Sequence, residues 1–198
     1  LNISSIVAAL NVKGVIVAGG GRRSNFTEKT QRNNETEKTN MFFNPLSDSN
    51  FSDPFITFDK KTGYYYFLAS CQCNELTVYR CKRVGDILKK GEKRIVFSCV
   101  ENGIYGPMWA PEMYKIGDKW YIYTSCRNKW DENLFAEKKH LLILKSKNED
   151  PFDGFELGSL PDNELFAIDP TSAFINGKQY VCYSEVAADG VQVLTIRE

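Results

Sequence analysis

The sequence predicts an all-β fold of the β-propeller kind, with about three blades, and three observations carry that expectation. The first is residues 109–125, Trp-Ala-Pro-Glu-Met-Tyr-Lys-Ile-Gly-Asp-Lys-Trp-Tyr-Ile-Tyr-Thr-Ser, where a short apolar run, a Gly117-Asp118 turn and an aromatic run follow one another. Gly and Asp tolerate the positive φ angles of a tight turn, so this pair between two strand-like runs marks a hairpin. The second observation is recurrence. Ser52-Asp53-Pro54-Phe55 leads through Lys-Thr-Gly into the strand at 64–70, and Ile168-Asp169-Pro170-Thr171 leads through Asn176-Gly177 into the strand at 178–184. The third is spacing. The second strands end alike at Ser70, Ser125 and Ser184, in steps of 55 and 59 residues. A repeat of roughly fifty residues built from short antiparallel strands is the mark of propeller blades. An ordinary sandwich of three similar hairpins shares the alternation, but gives no reason for an acid beside a proline at the same place in every copy.

Taken in order, residues 1–40 read as an N-terminal polar and linker segment. The apolar runs 6–10 and 15–18, split by Lys13, have the character of a signal-peptide remnant. Gly19-Gly20-Gly21 lacks the spacing of a phosphate-binding loop. Residues 22–40 hold almost no large apolar side chain and bury too little to order themselves. The folded domain, a partial propeller, is expected over 41–198. Blade one runs from Phe43 to about Val96, and its apolar strand 64–70 suits a sheet covered on both faces. Blade two runs from Trp109 to about Lys147, with a polar insertion at 127–139. A loop at 148–162 precedes blade three, which starts at Phe166. Third strands are expected at 76–82, 141–147 and 191–197.

Composition narrows the partners. Among 198 residues, 25 acidic and 25 basic side chains leave no net charge, so no field draws in nucleic acid or an anionic membrane. No apolar run reaches the roughly eighteen residues of a membrane span. Six cysteines with no paired CxxC spacing, and His140 as the only histidine, argue against a structural zinc site. Sequons at Asn2, Asn25, Asn34 and Asn50 point to a secreted, glycosylated chain. In that setting Cys71 and Cys81, on strands joined by a short hairpin, are the first pair to consider for a bridge; unbridged thiols are the alternative.

The first strand of each blade lines the channel of a propeller, so Asp53 and Asp169 are expected to converge on the axis. Two facing carboxylates are the minimal equipment for glycoside hydrolysis, one activating water while another group protonates the leaving oxygen. Read conservatively, Asp-Pro only starts a strand. Glu112 is either a catalytic acid or a buried, supporting carboxylate that caps backbone donors, and Phe55 and Trp109 offer flat faces either to a sugar or to the core.

Ser52-Asp53-Pro54-Phe55 before a Tyr-rich strand, Trp109-Ala110-Pro111-Glu112 before Lys119-Trp120-Tyr121-Ile122-Tyr123, and Ala167-Ile168-Asp169 before a Gly-Lys-x-Tyr strand together resemble glycoside hydrolase family 43. That family includes arabinanases, α-L-arabinofuranosidases and β-xylosidases. Arg80-Cys81-Lys82 and Leu144-Lys145-Ser146-Lys147 also sit where the family has a strand ending in a basic and a serine-like residue. The resemblance implies a five-bladed propeller and inverting hydrolysis of arabinose- or xylose-containing polysaccharide or oligosaccharide, of the plant type, outside the cell. It assigns Asp53 as general base and Asp169 as the residue that orients the sugar and raises the acid's pKa. Phe55, Trp109 and Glu112 are the substrate-binding candidates.

The family's general acid is a glutamate on a later blade followed by Gly-Pro, and no Glu-Gly-Pro occurs in this chain. The general acid is therefore expected to be absent from it, and three blades are expected to be part of a longer chain. A non-catalytic, carbohydrate-binding propeller is the alternative function. Some relatives hold calcium on the axis, but the residues here show no ligand set for it, and no cofactor or metal is expected. Arabinose against xylose, and endo against exo action, are left to loops on other blades.

Overall fold

Each of the three repeats folds into its own antiparallel sheet, its strands hydrogen-bonded in chain order. The computed structural model describes residues 47, 49–70, 74–127, 139–158 and 166–198. The expected N-terminal linker lies outside them, as do three of the four sequons, Cys71, Cys73 and most of the insertion at 127–139. Blade one is β1 (Ser52–Asp59), β2 (Tyr64–Ser70), β3 (Glu75–Cys81) and β4 (Glu92–Ser98). Blade two is β5 (Tyr105–Ile116), β6 (Lys119–Arg127), β7 (Lys139–Ser146) and β8 (Phe155–Leu157). Blade three is β9 (Ala167–Ile175), β10 (Lys178–Val186) and β11 (Gln192–Arg197). The sheets are the blades of a propeller, as the repeat spacing predicts.

Where three strands per repeat are expected, blades one and two carry a fourth. The apolar residues of β4, Ile95, Val96 and Phe97, run consecutively instead of alternating, which hides it from pattern reading. The three-residue β8 lies inside a segment whose Asp, Gly and Pro content reads as loop. It is fastened to β7 by the ladder from Leu144↔Leu157 to Ser146↔Phe155 and by the Gly158 amide donating to the Ile143 carbonyl at 2.8 Å. The predicted turns hold. Asn176 (φ 52°) and Gly177 (φ 82°) both occupy the left-handed region, as a two-residue hairpin between twisted strands requires.

Blades one and two close on a shared apolar core of Tyr66, Leu68, Met113, Trp120, Ile122 and Phe152, among others, all buried. Burying an apolar side chain of this size contributes about 1.5–3 kcal/mol, so this seam is the main source of stability. Leu141, Ala167 and Tyr183 form a smaller cluster between blades two and three. Polar clamps span the first seam. Arg80 of β3 donates to Asp150 Oδ2 at 2.9 Å and to Glu92 Oε2 at 2.9 Å, and lies 4.1 Å from the Phe152 ring centroid. Lys115 of β5 reaches the buried Asp59 of β1 at 3.3 Å.

Exposed apolar side chains gather on the two outer blades, at Phe58 and Ile95 of the first and at Phe174, Leu194 and Ile196 of the third. Cys81 carries a free thiol; Cys71, the partner considered for it, lies outside the described residues. Cys126 is buried, and burial pushes its thiol up to about 11, against a smaller lowering by Lys139. Such a thiol is chemically quiet. Among the described residues no helix is long and apolar enough to cross a membrane.

Candidate active site

The first strand of every blade breaks register at an equivalent place, and β5 breaks it a second time between Tyr105 and Trp109. β1 shifts against β2 between Ser52 and Phe55, β5 against β6 between Trp109 and Glu112, and β9 against β10 opposite the segment Cys182 to Ser184. At each bulge one residue takes a left-handed backbone and a proline follows: Asp53 (φ 48°) before Pro54, Ala110 (φ 43°) before Pro111, Asp169 (φ 55°) before Pro170. Proline has no N–H to leave unpaired in a broken ladder, and it biases the residue before it away from the right-handed helical region. Aspartate tolerates the left-handed region better than most residues.

This geometry corrects the repeat as read from sequence. The counterpart of Asp53 and Asp169 in blade two is Ala110, and Glu112 lies beyond the proline, two positions further along β5. Proline and bulge recur in all three copies; the acid at the bulge recurs in two.

The two aspartates lie close enough for the charge of Asp53 to act on Asp169. Asp169 is held above the ordinary aspartate pKa, first by partial burial and then by the negative charge of Asp53. Among the described residues the Asp169 carboxylate has no hydrogen-bond donor, whereas Asp53 Oδ2 accepts a 2.6 Å bond from the Ser70 hydroxyl. The Ser70 oxygen in turn accepts from the backbone N–H of Ala110 at 2.7 Å. A three-member chain thus runs from the bulge of blade two, through the end of β2, to the bulge of blade one.

Glu112 is half-buried, and its Oε2 accepts from the hydroxyl of Tyr114, a side-chain donor where the sequence suggested backbone donors. The same hydroxyl lies 3.1 Å from Thr171 Oγ1, two residues past Asp169. Burial, and then the Glu112 carboxylate, raise the Tyr114 pKa well above that of a free phenol. Glu112 and Tyr114 therefore form a strut from blade two to the strand that carries Asp169. Phe55 packs against the Tyr114 ring at 5.4 Å and against the core between blades one and two. Trp109 is half-buried, with the Lys139 ammonium 3.9 Å from its ring centroid. One face of that indole is accordingly occupied by protein. Among the described residues no group of three or more His, Cys, Asp or Glu side chains is arranged to hold a metal ion.

Sequence reasoning missed Ser70, Tyr114 and Thr171 as site residues. The signal for Ser70 was present in the serine shared by the three second strands, although β6 and β10 run two residues past theirs, to Arg127 and Val186. Tyr114 and Thr171 carried none, since they meet only across two blades.

The model of the family described as "Glycosyl hydrolases family 43" matches residues 42–197, nearly all of the folded part. The chain belongs to this family. Its sequence is 27% identical over 127 residues to an extracellular exo-α-(1→5)-L-arabinofuranosidase of Streptomyces chartreusis, covering 62% of this chain and 38% of that protein. It is 28% identical over 128 residues to α-L-arabinofuranosidase B of Pyricularia oryzae, covering 62% of this chain and 25% of that one. Among solved structures, an α-L-arabinofuranosidase from Lactobacillus brevis superposes with a TM-score of 0.67 at 23% identity, covering 78% of this chain and 50% of that one. An endo-arabinase from Bacteroides thetaiotaomicron gives a TM-score of 0.59 at 20% identity, covering 79% and 53%. At such identities the structures speak for the fold, which is the propeller of the five-bladed type, about three blades of it in this chain. The family 43 chain spans well under half the length of those two curated relatives and about half the length of the two solved chains.

Proposed function

We propose that this chain belongs to a secreted, inverting glycosidase acting on arabinose-containing polysaccharide or oligosaccharide, with Asp53 as general base and Asp169 as the residue that orients the sugar. The observation that carries this reading is the pair of bulges on β1 and β9. They set two aspartates in matching left-handed seats close enough for the charge of one to raise the pKa of the other. Inverting hydrolysis needs a base that takes a proton from water on one side of the sugar ring and a second carboxyl environment that differs from it. The relatives named arabinofuranosidases support the arabinose preference, and the extracellular names and the sequons support secretion. Residues 41–198 serve as the catalytic propeller and residues 1–40 as a linker. Phe55 and Trp109 flank the sugar with their free edges, and Glu112 supports the site from behind.

No Glu-Gly-Pro acid occurs in the chain, so the test uses a substrate that needs none: an aryl α-L-arabinofuranoside whose activated phenolate departs without protonation. The protein is expected to release the phenolate, the first-formed arabinose appearing by NMR with inverted anomeric configuration. Asp53→Ala is expected to abolish turnover while arabino-oligosaccharide binding, followed by calorimetry, persists. Turnover that survives Asp53→Ala, or retained configuration, refutes the assignment.

A further inference from the structure

The three blades place a serine at the same point of the second strand, paired with the residue before the bulge (Ser52↔Ser70, Trp109↔Ser125, Ile168↔Ser184), and give it three different fates. In blade one Ser70 is bonded to the aspartate of its own blade. In blade three the oxygen of Ser184 is taken by Gln192 Nε2 at 2.5 Å, and Ser184 pairs with Ile168 beside Asp169 without bonding it. In blade two the bulge residue is Ala110, whose side chain offers no acceptor, and the buried Ser125 hydroxyl has no hydrogen-bond partner among the described residues. Position in the repeat therefore does not decide what the serine does; its neighbours do.

At Ser70 the direction of the chain is fixed by valence. The Ala110 N–H can only donate, so it occupies an acceptor lone pair of the Ser70 oxygen. The single hydroxyl proton is then committed to Asp53 Oδ2. Resting on the assignment of Asp53 as base, we propose that Ser70 is a positioning residue. It locks the Asp53 carboxylate in one orientation with Oδ2 engaged, so that Oδ1 is the oxygen presented to water, and it thereby singles out Asp53 over Asp169 as the base. The lock is tied to blade two, since the amide that orients Ser70 belongs to the bulge at Ala110. A base must be held within hydrogen-bond reach of its proton in a productive direction, and small losses of orientation cost rate out of proportion to the atoms removed.

The test uses Ser70→Ala, Ser70→Thr and Ser125→Ala in the full chain, with two readouts. Three-bond couplings across the Asp53 χ1 torsion, measured by NMR, need no turnover. They are expected to report a single rotamer in the parent, averaging in Ser70→Ala and a single rotamer again in Ser70→Thr. On the activated arabinofuranoside, Ser70→Ala is expected to lose about ten- to hundredfold in kcat with KM within about twofold, the size of one hydrogen bond to a charged group. Ser70→Thr should recover most of that loss, and Ser125→Ala should match the parent. An unchanged Asp53 coupling in Ser70→Ala overturns the proposal. So does a kcat within about twofold of the parent in a background where Asp53→Ala is dead, or a Ser70→Thr as impaired as Ser70→Ala. If Asp53→Ala itself stays active, the base assignment has failed, and the coupling measurement still decides whether Ser70 locks the carboxylate.

Discussion

Arg80 is the side chain most exposed to a quantitative test of how the first two blades are joined. It leaves β3, runs across the seam, and splits its guanidinium between Glu92 of its own blade and Asp150 of the next, each at 2.9 Å. Its Cζ lies 4.1 Å from the Phe152 ring centroid and 5.0 Å from that of Tyr64. Both carboxylate partners are about half exposed, at 60% and 45% of their side-chain surface, so each ion pair deserves only the small value of a solvated pair, about 0.2–1 kcal/mol. The stacking is better shielded and adds about 0.5–2 kcal/mol. Arg80→Ala should therefore cost about 2–3 kcal/mol once the loss of stem packing over Phe152 is included. Arg80→Lys keeps the charge but not the flat fork, and should cost about 1–2 kcal/mol. Urea unfolding measures both, and the midpoint should fall with the slope unchanged. A loss below about 0.5 kcal/mol for Arg80→Ala would refute the reasoning, because it would mean that shared burial of Tyr66, Trp120 and Phe152 holds the seam without the clamp.

Two further outcomes follow from the titrating groups. Asp53→Asn should lower the Asp169 pKa, followed by carboxyl NMR, since one of its two raising causes is removed while burial remains. Because the Asp169 pKa is raised on folding, the native state binds more proton than the unfolded chain between the two values; stability falls as pH rises through that window, and Asp169→Asn should stabilise the protein above it. Asp59 has the opposite sign. Burial works to raise its pKa, but bonds from Thr62, the Lys61 amide and Lys115 outweigh it and hold it below the ordinary value. Its contribution is present above the unfolded pKa and is lost as pH falls through the folded one. Lys115→Met should cost about 1–3 kcal/mol at neutral pH, shrinking in acid, as thermal melts across pH would show.

How much of this was legible in the sequence depends on whether the information was local. The Asn176-Gly177 turn, the apolar run of β2 and the repeat of the second strands are written in neighbouring residues, and the propeller follows from them. β8 is three residues in a polar segment and owes its existence to β7, so no local pattern could reveal it. At the site, Asp53 and Asp169 stood out because proline follows each. The same rule misled at Glu112, which also touches a proline but on its far side; only the register of β5 against β6 shows that Ala110 holds the corresponding seat. Ser70 was visible as a recurring serine, yet its bond to Asp53 arises from a bulge that a sequence does not display. The strut from Glu112 through Tyr114 to Thr171 joins residues 57 positions apart at its long step and was out of reach.

The matched bulges separate scaffold from chemistry in this fold. Because register slip and proline shape the backbone at 53, 110 and 169, the side chain at each position is a tenant and not a builder. Alanine already occupies one seat without disturbing the pattern. A lineage, or an engineer, could therefore move carboxylates among the blades while the strands beneath them stay where they are, and new acid–base pairings become a matter of single substitutions at addresses the propeller keeps in reserve.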